Sequence, residues 1–144
     1  MIRLSRKVYD SIVYHAYSGN NEEVCGVLAG TYGSDESRVL GSRQATNVAE
    51  TPQIRYRIDP AEQFEIVEGI EDEEMAVVGF YHSHPGGPTT PSETDIDRAT
   101  WPDHSYLICA LDGYPFVGSW RYRAETETLE QETVIVQNTP ETTV

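Results

Sequence analysis

The short apolar run from Met75 to Tyr81 leads without a break into His82-Ser83-His84-Pro85. The run is β-branched and too short for a helix of the same burial, which predicts a buried strand. Side chains two apart on a strand point to the same face, so His82 and His84 can reach one ion while Ser83 turns away from it. Pro85-Gly86-Gly87-Pro88 stops the strand and lets the chain fold back toward Ser92 and Asp95. Two imidazoles and one carboxylate set this close match a catalytic zinc site, which has three protein ligands and an open fourth position.

Each part also has a plainer reading. Histidine is an ordinary surface residue, and an H-x-H at a strand end can be incidental. Ser92-Glu93-Thr94-Asp95 is an ordinary capping box opening a helix. The capping and ligand readings are compatible, because a carboxylate on the first turn can face a metal while Ser92 caps. Glu23, which leads into the apolar stretch Val24 to Gly30, reads alone as a solvated strand end. Their conjunction carries the weight.

Taken together, these residues resemble the signature of the JAB1/MPN/Mov34 metalloenzymes, the JAMM or MPN-plus family. Its pattern is Glu-x-x-Gly in an early strand, then His-x-His-Pro, and then Ser-x-x-Asp. Glu23-Val24-Cys25-Gly26, His82-Ser83-His84-Pro85, Ser92 and Asp95 fit it with no gap and no substitution. The likeness extends to the order of elements from Arg3 to about Val136. It implies an α+β fold: a curved mixed β-sheet packed with about three helices, the zinc at a strand end. It also implies one Zn²⁺ held by His82, His84 and Asp95, lowering the pKa of a bound water toward ~7. Glu23 would take that water's proton and pass it to the leaving amine, and Ser92 would donate its hydroxyl to the developing oxyanion. An iron facial triad uses the same donors but gives Glu23 and Ser92 no task. The motifs of nucleobase deaminases and of HExxH proteases are absent.

Members of this family typically cleave the amide joining the Gly-Gly tail of a ubiquitin-like protein to a lysine. The resemblance therefore implies an isopeptidase whose partners are such a modifier and its conjugates. Two alternatives stand beside it: C-terminal processing of sulfur-carrier proteins, and a metal-free scaffold, against which the intact ligand set counts. Val48 to Arg57, where relatives often carry a substrate-contacting insertion, is short. The stretch around Gln53 to Arg57 is the candidate for an exposed strand edge that holds the tail by backbone hydrogen bonds.

The remaining chain fits one domain over residues 1–137, with a polar tail at 138–144. Ser5 caps a first helix with Leu4, Val8, Ile12 and Ala16 on its apolar face, ending near Gly19-Asn20. A hairpin follows, with strands at Val24 to Thr31 and Val39 to Asn47. Asp59-Pro60-Ala61-Glu62 starts a second helix that runs to about Asp72, and Ser92 starts a third. Strands are expected at Tyr106 to Leu111, Pro115 to Arg123 and Glu130 to Val136, with turns at Asp112-Gly113 and near Thr126. His15 and His104 have no motif partner and read as surface or core histidines. Cys25 and Cys109 sit in apolar runs, as buried free thiols do, with no spacing motif for a redox pair.

Composition adds the setting. No apolar run is long enough for a membrane span, and no signal-like segment opens the chain, which places it in the cytoplasm. Acidic residues number 24 against 10 basic, a net charge of −14, and Lys7 is the only lysine. Nucleic-acid binders need a basic footprint, so that class is excluded. An acid-rich, lysine-poor surface suits the salt-loaded cytoplasm of a halophilic archaeon, where a Debye length of ~3 Å at molar salt screens self-repulsion. Thermal melting should accordingly move upward between ~0.1 M and ~2 M NaCl, and equal melting temperatures would remove the halophile reading.

Overall fold

The computed structural model describes residues 1–111 and 116–138. The expected turn at Asp112-Gly113, the start of the following strand at Pro115 and the tail from 139 onward lie outside the described residues. The elements are β1 (Ile2–Ser5), α1 (Arg6–Ser18), β2 (Cys25–Thr31), β3 (Ser37–Ala45), α2 (Pro60–Asp72), β4 (Ala76–His84), α3 (Glu93–Arg98), β5 (Ser105–Ala110), β6 (Phe116–Arg123), β7 (Thr128–Glu132) and β8 (Val134–Gln137).

The strands form one mixed sheet in the order β7-β6-β5-β4-β2-β3-β1-β8. β4 is central, antiparallel to β2 and parallel to β5. Leu28 pairs with Gly79 and Ala29 with Val77, so Val78 is an extra residue that bulges β4. Beyond the bulge, alternation is regular. Tyr81 packs with Val8, Ile12 and Leu28 on the α1 face, whereas Phe80 packs with Ile70, Ala99 and Tyr106 on the α2 face. His82 and His84 follow Phe80 at steps of two and therefore emerge on the α2 face. Gly79 sits where β4 and β5 approach so closely that any Cβ would collide with the Ser105 backbone carbonyl.

Helix starts follow the expected caps. Ser5 Oγ accepts from Val8 N at 3.2 Å, and Asp59 Oδ2 accepts from Ala61 N and Glu62 N. Leu4, expected on the first helix, lies instead in β1, a strand missed in the sequence. Ile2 and Leu4 alternate with period two, but Leu4 also continues the four-residue spacing of Val8, Ile12 and Ala16, so the two periods overlap at the cap.

The single strand expected at Glu130 to Val136 is two strands broken at Thr133. β7 and β8 are one residue apart in sequence yet occupy opposite ends of the sheet order. The sheet is therefore curved until its two ends meet, and Ile2 N donates to Thr133 O at that seam (2.9 Å). Arg121, 1% exposed, fills the seam. Its guanidinium donates to Glu132 Oε1 and to the carbonyls of Gly33, Asp103 and Met1, while Glu132 Oε2 accepts from the hydroxyls of Ser105 and Ser119. A buried charge pair is tolerated when its remaining donors and acceptors are matched in this way.

Between β3 and α2 the chain runs close to the end of β2. The stretch around Gln53 to Arg57 is not the regular strand edge expected of it. Ile54 N and Arg55 N both turn back to Thr51 O, and among the described residues the strand-like pairing there is an isolated bridge between Asn47 and Ile58. Asn47 holds the loop. Its Nδ2 donates to the carbonyls of Glu23 and Arg55, and its Oδ1 accepts from Ala49 N and Arg57 N, all at 2.9–3.0 Å. Glu23 N in turn donates to Pro52 O at 2.7 Å. Both backbone groups of Glu23 are thus fixed by this loop. Asn47→Ala should cost about 1–3 kcal/mol in urea unfolding, since it strands several partners at once. Amide exchange at Ala49 and Arg57 should also accelerate, and unchanged exchange would show that the loop holds without Asn47.

Candidate metal centre

β4 carries His82 and His84 to the open end of the sheet, and α3 brings Asp95 to them. Ser92 is the cap of that helix: its Oγ accepts from Asp95 N at 3.1 Å, and its backbone N–H donates to Asp95 Oδ2 at 2.9 Å. The capping box locks the carboxylate in place, so the ordinary reading of Ser92-x-x-Asp95 and the metal reading coexist. Since Ser92 Oγ accepts in the cap, its own proton remains free to be donated elsewhere.

His82 Nε2, His84 Nε2 and Asp95 Oδ2 form a triangle with every side 3.1 Å. Ligand atoms at tetrahedral angles around an ion with bonds of ~2.0 Å stand about 3.3 Å apart. His84 Nδ1 donates to Pro88 O at 2.6 Å, which assigns its hydrogen to Nδ1 and turns the Nε2 lone pair into the triangle. Two imidazole nitrogens and a carboxylate oxygen converging on one point is the donor set of a divalent transition metal. All three side chains are largely buried, and His82 is also covered by the Tyr56 ring, stacked on it with centroids 4.4 Å apart.

Glu23 stands next to this triangle. Its ligand oxygen and the imidazole nitrogens of His82 and His84 lie within 4.8 Å of one another, so a Glu23-His82-His84 set can also be drawn. The Asp95 triangle is the tighter of the two sets. Glu23 is 5% exposed, and its Oε1 has no hydrogen-bond partner among the described residues. A buried, unmatched carboxylate oxygen facing a cation site is matched by whatever occupies that site. Burial pushes the Glu23 carboxyl up to about 7, with His84 pulling it down and Asp95 pushing it further up.

The other groups divide in the direction the geometry requires. Burial works against an ionised Asp95, but the two imidazoles and the Ser92 N–H hold its carboxyl well below the usual range. Burial lowers His82, whereas Asp95 and the Pro88 carbonyl raise His84 against burial. Glu22, one residue before Glu23, is exposed. Ser83 faces away as expected and accepts from Val24 N at 2.9 Å, which ties β4 to the residue after Glu23. His15 bonds the Tyr81 hydroxyl at 2.7 Å, and His104 stacks on Tyr32; neither belongs to the centre. Cys25 and Cys109 are buried free thiols, raised by burial to about 12 and about 11.

Two openings flank the centre. A cleft of about 370 Å³ is bounded by Glu23, His84, Ser92, Ile54 and the turn Pro85 to Pro88. A cavity of about 390 Å³ lies beyond Tyr56, with Arg57, Arg98, Phe80, Trp101 and Tyr106 in its walls. The sequence reading missed Tyr56 and Asn47. Neither stands in a spacing pattern, and only the path of the loop brings them to the site. No helix among the described residues is long and apolar enough to cross a membrane.

The chain is similar to several known proteins. Over 123 residues, 83% of this chain and 87% of the relative, it is 43% identical to the desampylase of Haloferax volcanii. It is 38% identical over 99 residues, 69% of this chain and 66% of the relative, to the CysO-cysteine peptidase of Mycobacterium tuberculosis. A solution structure of a Desulfitobacterium hafniense protein superposes with a TM-score of 0.86 at 29% identity, covering 98% of this chain and 96% of that one. The model of prokaryotic homologs of the JAB domain matches residues 5–123, and the chain belongs to that family.

Proposed function

We propose that this chain is a zinc-dependent isopeptidase that removes a ubiquitin-like modifier from lysine side chains of target proteins. The observation that carries this reading is the 3.1 Å triangle of His82, His84 and Asp95 with the unmatched Glu23 oxygen beside it. Similarity to a desampylase supports the substrate class. His82, His84 and Asp95 would hold the ion, which when bound supplies Lewis acidity and a water acidified toward ~7.

The chain's own residues account for the rest of the hydrolysis. Glu23, with a carboxyl near 7, is suited to accept the water's proton and deliver it to the amine nitrogen as the C–N bond breaks. The Ser92 hydroxyl, held by the α3 cap, has its proton free for the oxyanion that forms on the scissile carbonyl. The cleft between Ile54 and the Pro85 to Pro88 turn is where an extended tail without side chains fits, as a Gly-Gly terminus provides. The setting we favour is a salt-loaded archaeal cytoplasm, in line with the −14 charge and the Haloferax relative. The alternative, processing of a sulfur-carrier protein, is favoured by the likeness to a CysO-cysteine peptidase.

Variants separate the roles. His84→Ala and Asp95→Ala should lose bound zinc together with hydrolysis, and chelation of the unaltered protein should abolish activity until zinc is restored. Glu23→Gln should keep zinc and fold while losing at least ~10²-fold in rate. A matching loss of zinc would make Glu23 a ligand instead, and Glu22→Gln is the control expected to be nearly silent.

Substrates separate the readings. A lysine-linked modifier conjugate should be cut, an unfolded protein such as casein should not, and bulky replacements of the tail glycines should block cleavage. Faster release from a C-terminally extended carrier than from a lysine conjugate would favour the carrier-processing alternative, and ready cutting of casein would make this a general protease.

A further inference from the structure

We infer that the cavity behind Tyr56 is a carboxylate-binding subsite for the leaving-group side of the substrate, an inference that rests on the isopeptidase reading above. The cavity holds about 390 Å³, and its walls combine two guanidinium groups, Arg57 and Arg98, with the aromatic rings of Phe80, Trp101 and Tyr106. A concave surface that combines aromatic rings with a few polar groups is the usual form of a ligand site, and both arginines here are exposed to solvent.

The protein carries 24 acidic residues against 10 basic. Arg3, Arg6, Arg43, Arg121 and Arg123 each have a carboxylate within 4 Å. Among the described residues, Arg57 and Arg98 have none; nor do Lys7, Arg38 and Arg55, but Arg57 and Arg98 are the two that share an opening with aromatic rings. In a protein with this excess of acid, two cations left without carboxylates in one cavity are placed for a carboxylate from outside. A guanidinium presents a planar fork that takes one in paired hydrogen bonds.

The position ties the cavity to the reaction. Arg98 lies three residues after Asp95 on α3, the spacing of neighbours on one helix face. Its Nη1 donates to Tyr56 O at 2.8 Å, leaving its other N–H groups available. Tyr56 links the two: its ring covers His82, and the residue also lines the cavity. The cleft containing Glu23 and Ser92, where the modifier tail is placed, shares no lining residue with this cavity. The segment released as the amine is therefore the part of the substrate that reaches Arg57 and Arg98. Its carboxylate comes from one of two sources, an acidic side chain flanking the modified lysine or the α-carboxylate of a single leaving amino acid.

The zinc-loaded protein is assayed on two matched substrate pairs. One pair is a modifier joined to lysine in a peptide with glutamate or glutamine neighbours. The other is a modifier extended by one amino acid with a free or an amidated carboxyl. The acidic member of at least one pair should show kcat/KM about tenfold higher, the scale of one charge-assisted hydrogen bond. Whichever pair shows the preference identifies the source. Arg57→Gln and Arg98→Gln should each bring that ratio toward one; Arg57 makes no side-chain hydrogen bond among the described residues, so its variant leaves the Tyr56 clasp intact. Ratios near one in both pairs, or a ratio that survives both variants, would overturn the subsite.

A binding measurement keeps the inference independent of turnover. A short amidated peptide of alternating glutamate and alanine should shift the Trp101 indole N–H resonance saturably, and its glutamine counterpart should not. If conjugates go uncut while this shift is present and lost in Arg57→Gln, the isopeptidase reading falls and the carboxylate site stands. Absence of the shift in the unaltered protein counts against the site even if conjugates are cleaved.

Discussion

β4 is paired with β2 as far as His82 and with β5 as far as His84, and every other part of the centre is placed relative to it. His82 is opposite Cys25 of β2 on one side and Ile108 of β5 on the other, while His84 is opposite Ala110. A strand held on both sides cannot slip by one residue without sending both imidazoles to the α1 face. The bulge at Val78 performs the converse service earlier in the strand, resetting the alternation so that Phe80, His82 and His84 all face α2. Antiparallel β2 then starts next to the end of β4, and that adjacency puts Glu23 beside the histidines.

Two polar structures support this arrangement from opposite ends of the molecule. At the seam, Arg121 and Glu132 join the ends of a sheet whose curvature brings β7 and β8 together. At the centre, Asn47 fixes the loop that supplies Pro52 to Glu23 N and Tyr56 to His82. Each is a network in which a charged or amide side chain satisfies several backbone groups. Such networks specify one geometry because any partly bonded alternative leaves buried polar groups unmatched. Glu23 is thus positioned by its backbone, and its Oε1 has no hydrogen-bond partner among the described residues.

Charge is distributed to match. The excess of acid lies mostly on exposed positions, and α2 alone contributes Glu62, Glu65, Glu68, Glu71 and Asp72. At the centre, burial and two imidazoles give neighbouring carboxylates opposite tendencies: Asp95 is held ionised while Glu23 is raised to about 7. Carboxylates whose environments drive them apart in this way suit different tasks, one as a permanent ligand and one as a proton carrier.

The sequence by itself determined the local elements that have a periodic or capping signal. Ser5, Asp59 and Ser92 each cap the helix expected of them, and the Met75 to Tyr81 run lies in the central strand. The spacing of His82 and His84 on a strand and the Ser92 to Asp95 capping box are local facts legible in the sequence, whereas Glu23, which alone reads as a solvated strand end, was named only through the resemblance to the JAMM family. What the sequence did not show depends on contacts between distant segments. Leu4 was placed on the helix because two periods coincide at Ser5. β7 and β8 read as one strand because only the closing of the sheet separates them. The stretch around Gln53 to Arg57 read as an edge, whereas Asn47 gathers it into a turn. Tyr56 over His82, and Arg57 and Arg98 around one cavity, have no sequence signal at all, since their meeting is decided by how a loop and a short helix pack against the finished sheet.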